Sequence, residues 1–485
     1  MTTFHIEQFG CRATQADAAA IEHRLLSRGY TLSPTRTEAQ VVVVNTCTVT
    51  SSADNQARQA IREIHRSNPN AQIVVTGCYA QRAPEDLASL EGVAWVIGNS
   101  HKSEIPRLLD LSGKSCTQDP APHSAFVRPE FVPLDRLDSE AHFISQGPAK
   151  ILTGNILESD SWAAAPVLGG ESGHTRPVLK IQDGCNNRCS YCVIPFVRGR
   201  SRSLPPHEVL SEINKLCSAG FREIVLSGIN LGSYGRDLTP RVEFRELLHQ
   251  ICDDTPLERL RISSIEPMDS TGELIDFFAS TARLARHFHL PLQSGSDRIL
   301  AAMHRWYRAE HYARRVELIR ERLPDAAIGA DVIAGFPGET ELDHHATLDF
   351  IERLPLTYLH VFSFSKRPGT SADQLTENVP NSVIKDRSRE LRALGEAKSA
   401  SFRASQAGRT LRVLTIRHAP GRTERHDTTG WTPALSSNYL RVRLAGEWPS
   451  NQMMNVLAGA PASSSSFLTA QVLDGSLQQS SESTT

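Results

Sequence analysis

Cys185-Asn-Asn-Arg-Cys189-Ser-Tyr-Cys192 places three cysteines at C-x3-C-x2-C spacing in one short loop. Three thiolates so spaced can hold three irons of a cubane [4Fe-4S] cluster and leave the fourth iron open to a ligand, an arrangement for chemistry rather than electron storage. The bland readings are a chance cluster, a cysteine-lined turn or a zinc site, although structural zinc usually takes a fourth protein ligand. Cys11, Cys47 and Cys78 make a second, dispersed set, in Phe-Gly-Cys, Asn-Thr-Cys and Thr-Gly-Cys. Each lies at or just past an expected strand. Strand ends along one edge of a parallel sheet can converge, so these thiols could share a second cluster; three unrelated buried thiols fit the same text. Cys116, Cys217 and Cys252 receive no function.

Other polar groups fall at strand ends. Leu226-Ser227-Gly228-Ile229-Asn230 offers a glycine that permits close approach and two side chains able to hydrogen-bond, or an ordinary turn. Glu266 and Gln293 follow the next two strands and could face the same cavity, or simply solvent. Gly335-Phe-Pro-Gly-Glu339 reads as a turn. Arg198-Gly-Arg-Ser-Arg202 and His304-Arg-Trp-Tyr-Arg308, with Arg314 and Arg315, set cations beside aromatics, a pattern that can grip RNA or merely be solvated.

These residues need a scaffold, and 485 residues are enough for roughly three domains. In the first ~110 residues, Phe4–Ile6, Val41–Val44, Ile73–Val75, Val93–Ile97 and Ile105–Leu109 are apolar runs, with helical patterns over about 17–28, 53–65 and near Glu85. That alternation predicts a parallel α/β domain over 1–112. Periodicity dissolves over 113–175, read as a linker or insertion. Six strand-helix units then predict a partial (β/α) barrel over 176–384, whose chemistry belongs at the carboxyl ends of its strands. A charged helix and short strands over 385–474 predict a small β-barrel, and the Ser/Gln-rich 475–485 a disordered tail.

Composition excludes some classes. With 40% hydrophobic and 22% charged residues, the chain reads as globular rather than disordered or collagenous. Apolar runs are too short to span a bilayer, and Met-Thr-Thr-Phe-His-Ile-Glu lacks the basic leader and apolar core of a secretory signal, so a cytoplasmic protein without membrane partners is expected. Nine cysteines are too few for a disulfide framework of this length. The net charge of −2 advertises no nucleic acid. Locally, however, 385–443 carries 13 Lys and Arg against 5 Asp and Glu, and leads into a barrel of the kind that presents a strand face to nucleic acid.

The 185–192 loop, with Tyr191 before its last cysteine, resembles the radical S-adenosylmethionine superfamily. The two cysteine trios in this order, followed by a small barrel, resemble the methylthiotransferase family over nearly the whole chain. Asn45-Thr-Cys-Thr-Val-Thr50, Thr76-Gly-Cys-Tyr-Ala-Gln81, Leu290-Pro-Leu-Gln-Ser-Gly-Ser-Asp297 and Ser365-Lys-Arg-Pro-Gly-Thr370 are similar to its tRNA threonylcarbamoyladenosine branch. Ser294 stands where the ribosomal-protein branch typically has His, and Cys11-Arg-Ala-Thr-Gln15 departs from the usual Cys-Lys-Val-Asn-Gln.

The resemblance implies two [4Fe-4S] clusters, an auxiliary one on Cys11, Cys47 and Cys78 carrying the sulfur and a radical one on Cys185, Cys189 and Cys192. It implies S-adenosyl-L-methionine at the open iron, near Ser227, Gly228 and Asn230, and the strand-end positions of Glu266 and Gln293 could add to the same cofactor site. No catalytic side chain beyond the cluster ligands is implied. The expected reaction is methylthiolation at C2 of threonylcarbamoyladenosine beside the tRNA anticodon, with an electron donor such as a flavodoxin or ferredoxin and a sulfur donor as further partners. The alternatives are a methylthiotransferase acting on isopentenyladenosine tRNA or on a ribosomal-protein aspartate, and a non-catalytic RNA-binding iron-sulfur protein.

Overall fold

Four consecutive valines, Val41–Val44, are all buried, and their alternation explains the first domain. Val42 and Val44 face one apolar core with Ile61, Ile64, Ile73 and Val75; Val41 and Val43 face another with Phe4, Ile21, Leu25 and Val74. A strand buried on both faces needs helices on both, which is the parallel α/β solution. The computed structural model describes residues 1–113, 142–144, 149–158, 175–417, 430–461 and 466–473. Its N-terminal strands are β1 (Thr3–Gln8), β2 (Thr31–Leu32), β3 (Val41–Thr46), β4 (Gln72–Gly77), β5 (Val93–Ile97), β6 (His142–Ile144) and β7 (Lys150–Thr153). They form one sheet ordered β2-β1-β3-β4-β5-β7-β6, parallel except for the β6/β7 pair. Helices Arg12–Leu26 and Ser51–Ser67 pack on its faces; the latter is capped by the Thr50 hydroxyl, which accepts from the Ala53 amide.

Two expectations need correction here. Strands β6 and β7 fall inside the stretch read as linker or insertion, so part of 113–175 completes the N-terminal sheet. Ile105–Leu109 belongs to a helix, Ile105–Gly113, because Ile105, Leu108 and Leu109 are buried at helical rather than alternate spacing.

The central domain contains β8 (Val178–Lys180), β9 (Gln182–Asp183), β10 (Arg202–Ser203), β11 (Glu223–Ser227), β12 (Arg259–Ile262), β13 (His287–His289), β14 (Ala327–Ala334) and β15 (Tyr358–Ser363). Two parallel three-stranded sheets, β8-β11-β12 and β13-β14-β15, make the expected open barrel, with a Leu260/Leu284 bridge tying β12 to the segment that leads into β13. Helix Gly272–Ser280, not anticipated, is among those packed around it. Helix Asn381–Ala404 then leads to a closed barrel of β16 (Thr410–Thr415), β17 (Trp431–Ser436), β18 (Arg441–Ala445), β19 (Met453–Ala458) and β20 (Leu468–Val472). Strand β17 contains Pro433, a residue that weakens its reading as a strand in the sequence. The expected tail at 475–485 lies outside the described residues, among which no helix is long and apolar enough to cross a membrane.

Candidate active site between two cysteine trios

Strands β1, β3 and β4 are neighbours, paired in parallel with Gln8 opposite Asn45 and Thr46 opposite Gly77. Their carboxyl ends therefore deliver Cys11, Cys47 and Cys78 to one edge. Gly10 and Gly77, at φ +104° and +103°, make this possible: a Cβ on Gly10 would lie 2.4 Å from the Cys47 Cβ, and one on Gly77 2.3 Å from the Thr46 carbonyl oxygen. Cys78 accepts from Asn99 Nδ2 at 3.6 Å. Burial, reinforced by Cys78 and Cys11, pushes the Cys47 thiol up to about 12, and burial raises Cys78 as well.

The second trio leaves the first strand of the open barrel. Gly184, at φ +70°, turns the chain where a Cβ would be 1.9 Å from the Arg200 carbonyl oxygen. The Asn187 amide points at Cys185 Sγ (3.4 Å), while Ser190 anchors the loop through its amide to Met303 O (3.0 Å) and its hydroxyl to Ala302 O (2.8 Å). Burial, then Cys189 and Cys185, pushes Cys192 up to about 12. Burial makes a lone thiolate costly at Cys47, Cys78, Cys185 and Cys192, a cost that a bound metal would remove by replacing the proton.

A cavity of about 230 Å³ opens beside Cys192 and the residues that follow Cys47. Val49 and Thr50, just past Cys47, form one wall; Tyr191, Cys192, Gln293 and Asp331 form the other. Gln293 takes φ +70° and pairs with β14 through its amide to Asp331 O (2.8 Å). Asn230 lies beside Cys185, and among the described residues its buried Oδ1 has no hydrogen-bond partner, an acceptor open to a donor group beside the loop. Gly228 sits close-packed, where a Cβ would meet Leu231 Cδ2 at 2.8 Å and Gln182 at 3.0 Å. Ser227 is buried at the end of β11. Glu266 forms an ion pair with Arg305, whose other arm donates to Cys189 Sγ at 3.3 Å. These donors and the orphaned acceptor fit a three-cysteine iron-sulfur cluster with a polar ligand on its open iron.

Several basic residues read as RNA contacts are internal. Arg305 is buried against Cys189 and Glu266, Tyr307 is buried, and Arg198 is 2% exposed between Asp17 and Asp183. Trp306 remains exposed at 56%. Part of the basic 385–443 stretch is also consumed, as Arg387 pairs with Glu339 and Arg412 with Glu258; Arg392, Arg409, Arg417 and Arg441 stay exposed. Sequence reasoning missed Arg305 and Asp331. The carboxyl of Asp331 is disfavoured as an anion by burial, but the close imidazoles of His289 (Nε2, 3.2 Å) and His360 (Nδ1, 3.3 Å) outweigh this and hold it at about 2. The available signal was a lone carboxylate inside the apolar run 327–334.

Comparison with known proteins agrees with this layout. The profile described as "Uncharacterized protein family UPF0004" matches residues 3–98, and that of the radical SAM superfamily residues 179–351. The threonylcarbamoyladenosine tRNA methylthiotransferase MtaB of Aquifex aeolicus is 34% identical over 93% of this chain and 98% of its own length. Its Bacillus subtilis counterpart is 33% identical over 92% and 91%. The tRNA-2-methylthio-N(6)-dimethylallyladenosine synthase of Thermobifida fusca is 35% identical over 85% of this chain and 77% of its own. Among solved structures, the radical S-adenosylmethionine methyltransferase TsrM from Kitasatospora setae superposes with a TM-score of 0.54 over 77% of each chain at 17% identity, a likeness of fold.

Proposed function

The chain belongs to the radical S-adenosylmethionine methylthiotransferase family, and we propose that it methylthiolates C2 of N6-threonylcarbamoyladenosine beside the anticodon of tRNA. It is an enzyme that uses S-adenosylmethionine and a [4Fe-4S] cluster. The reading goes further on residues. Cys185, Cys189 and Cys192 hold the radical cluster, and Cys11, Cys47 and Cys78 an auxiliary one. When bound, the first cluster supplies the electron that cleaves S-adenosylmethionine, and the second supplies the sulfur that is methylated and transferred. Asn230, Gln293, Glu266 and the Ser227-Gly228 turn orient the cofactor; Arg305 steadies the loop through Cys189. An electron donor such as a flavodoxin or ferredoxin and a sulfur donor complete the set, in the cytoplasm.

The observation that carries this reading is the cavity with Cys192 in one wall and the residues following Cys47 in the other. A base seated there would lie beside Cys192 and next to the segment that follows Cys47. Residues 1–112 supply the sulfur side, 176–384 the radical side, and the barrel within 385–474 a grip on RNA. The test is anaerobic turnover with anticodon stem-loops carrying threonylcarbamoyladenosine or isopentenyladenosine, and with the ribosomal protein. Methylthiolation of the first alone is expected; product on either of the others moves the substrate, and no consumption of S-adenosylmethionine by cluster-loaded protein overturns the enzymatic reading.

A further inference from the structure

Strand alternation puts three metal-ligating side chains on one face of the β13-β14-β15 sheet, and none of them belongs to either cysteine trio. Asp331 on β14 stands in register with His360 on β15, while His289, the last residue of β13, pairs with Gly329, two residues before Asp331. Asp331 Oδ1 lies 3.2 Å from His289 Nε2 and 3.3 Å from His360 Nδ1, and the three ligand atoms all fall within 4.8 Å of one another. Ligands bound about 2.0–2.1 Å from one ion at tetrahedral angles stand about 3.3 Å apart, so two edges of a coordination shell already have the right length.

A cluster held only by its own hydrogen bonds would use them all, and this one does not. His289 is 6% exposed, yet its Nε2 has no hydrogen-bond partner among the described residues. Although Nε2 is 3.2 Å from a carboxylate oxygen, it lies outside hydrogen-bond geometry, so a proton there is not satisfied. The other ring nitrogen, Nδ1, is 2.8 Å from Ser264 Oγ. When Nδ1 donates to that hydroxyl, Nε2 turns a lone pair toward the Asp331 carboxylate, and a cation between the two removes the conflict. Tyr358 fixes both imidazoles: it sits over Gly329, where a Cβ would meet its Cζ at 2.0 Å, with its ring 5.9 Å from that of His289 and 5.2 Å from that of His360. Asp331 lines the cavity beside Cys192, and His360 is exposed.

We propose that His289, Asp331 and His360 form a divalent metal site, separate from both cysteine trios, whose remaining coordination positions open on the cavity beside Cys192. Two imidazoles with one carboxylate suit a first-row transition ion such as Zn2+, Fe2+ or Mn2+ rather than Ca2+ or Mg2+, which take oxygen ligands. Three protein ligands leave the shell incomplete, so the ion holds water or an oxygen atom of whatever molecule enters the cavity. Ser264 sets the His289 tautomer as the partner behind the ligand.

The test is titration of the cluster-loaded full chain with Mn2+ alone, an ion that favours carboxylate and water over thiolate and so leaves the cysteines aside. The free ion is counted by its electron paramagnetic resonance signal, and the bound ion is examined by pulsed methods for coupling to imidazole nitrogen. One ion per chain with nitrogen coupling is expected. Asp331→Asn and His360→Ala should each weaken binding by about tenfold or more, with circular dichroism and cluster iron unchanged. Should Asp331→Asn not fold, His360→Ala, at an exposed position, carries the same arm. No binding at millimolar Mn2+, binding without nitrogen coupling, or binding that the folded variants leave unchanged overturns the proposal. None of these readouts needs turnover, so the metal site and the methylthiolation reading stand or fall separately.

Discussion

The guanidinium of Arg12, the residue after Cys11, lies 3.4 Å from the phenol of Tyr439 in the C-terminal barrel. Tyr439 takes φ +66°, stacks on His287 at 4.3 Å and sits 5.3 Å from the Arg261 guanidinium. The barrel thus reaches the residue adjoining a proposed cluster ligand, and it does so at the position where this chain has Arg in place of the family's usual Lys. Its footing is firm: Arg259 donates to Arg412 O (3.0 Å) and Leu435 O (3.2 Å), and Arg261 to Ser436 O and Ser437 O (3.0 Å each).

Tyr439→Phe keeps the stack and removes one hydrogen bond, a loss of about 0.5–1.5 kcal/mol. Tyr439→Ala removes the ring and leaves space among His287, Tyr358 and Arg261, a loss of roughly 3–5 kcal/mol. Urea unfolding with a probe in the C-terminal barrel measures both. Equal, negligible effects would mean that the ring does not hold the barrel to its neighbours.

Glu223 is fully buried and takes Arg261 at 2.8 Å, Arg259 at 2.6 Å and Arg176 at 3.4 Å. Burial alone would raise its pKa, but these arginines outweigh burial and hold it well below its ordinary 4.5. Asp183 and Asp17 are likewise held below 3.8, against burial, by the cations around them. A carboxylate depressed on folding contributes stability above its unfolded pKa and loses it as pH falls toward the folded value. The melting temperature should therefore hold down to roughly pH 5 and drop steeply below about 4. Glu223→Gln should cost roughly 3–5 kcal/mol at neutral pH, because it strands buried arginines, and should flatten the acid limb. A variant with the parent's acid profile would contradict the assignment.

Little of this bridging was legible in the sequence, and the reason is physical. The thiols after β1, β3 and β4 each follow an expected strand, and strand ends on one edge of a parallel sheet can converge, so their meeting was legible as one of two readings. A buried cation has no such signature: Arg198 and Arg305 sit in polar text that reads as a solvated or RNA-binding face, and only the tertiary partners Asp17, Asp183 and Glu266 reveal otherwise. Asp331 announced itself faintly, as one charge in an apolar run. Pro433 weakened the reading of β17 as a strand, and β6 and β7 were hidden in a stretch without periodicity.

Arg305→Ala removes the donor to Cys189 and leaves Glu266 buried without its partner. Loss of such an outer contact typically costs about 10–100-fold in metal affinity or activity. Iron retention during chelator challenge and 5'-deoxyadenosine formation should both fall, with partial recovery in Arg305→Lys. Unchanged values would make the Cys189 contact incidental.

The two trios should separate by variant. Cys189→Ala should abolish 5'-deoxyadenosine formation, and retention of that product would contradict the radical assignment. Cys47→Ala should lower bound iron by about half, as expected for loss of one of two cubanes, keep 5'-deoxyadenosine formation, and lose methylthio product. Loss of both products together, with the fold intact by circular dichroism, would argue against a separate role for the N-terminal trio.

The most direct measurement is nucleoside mass spectrometry of digested bulk tRNA from cells with and without this gene. The account predicts that the methylthio form of threonylcarbamoyladenosine disappears, unmodified threonylcarbamoyladenosine accumulates, and methylthio-isopentenyladenosine is unchanged. Persistence of the first mark in a strain with no second member of the family, or loss of the isopentenyl mark instead, would contradict it.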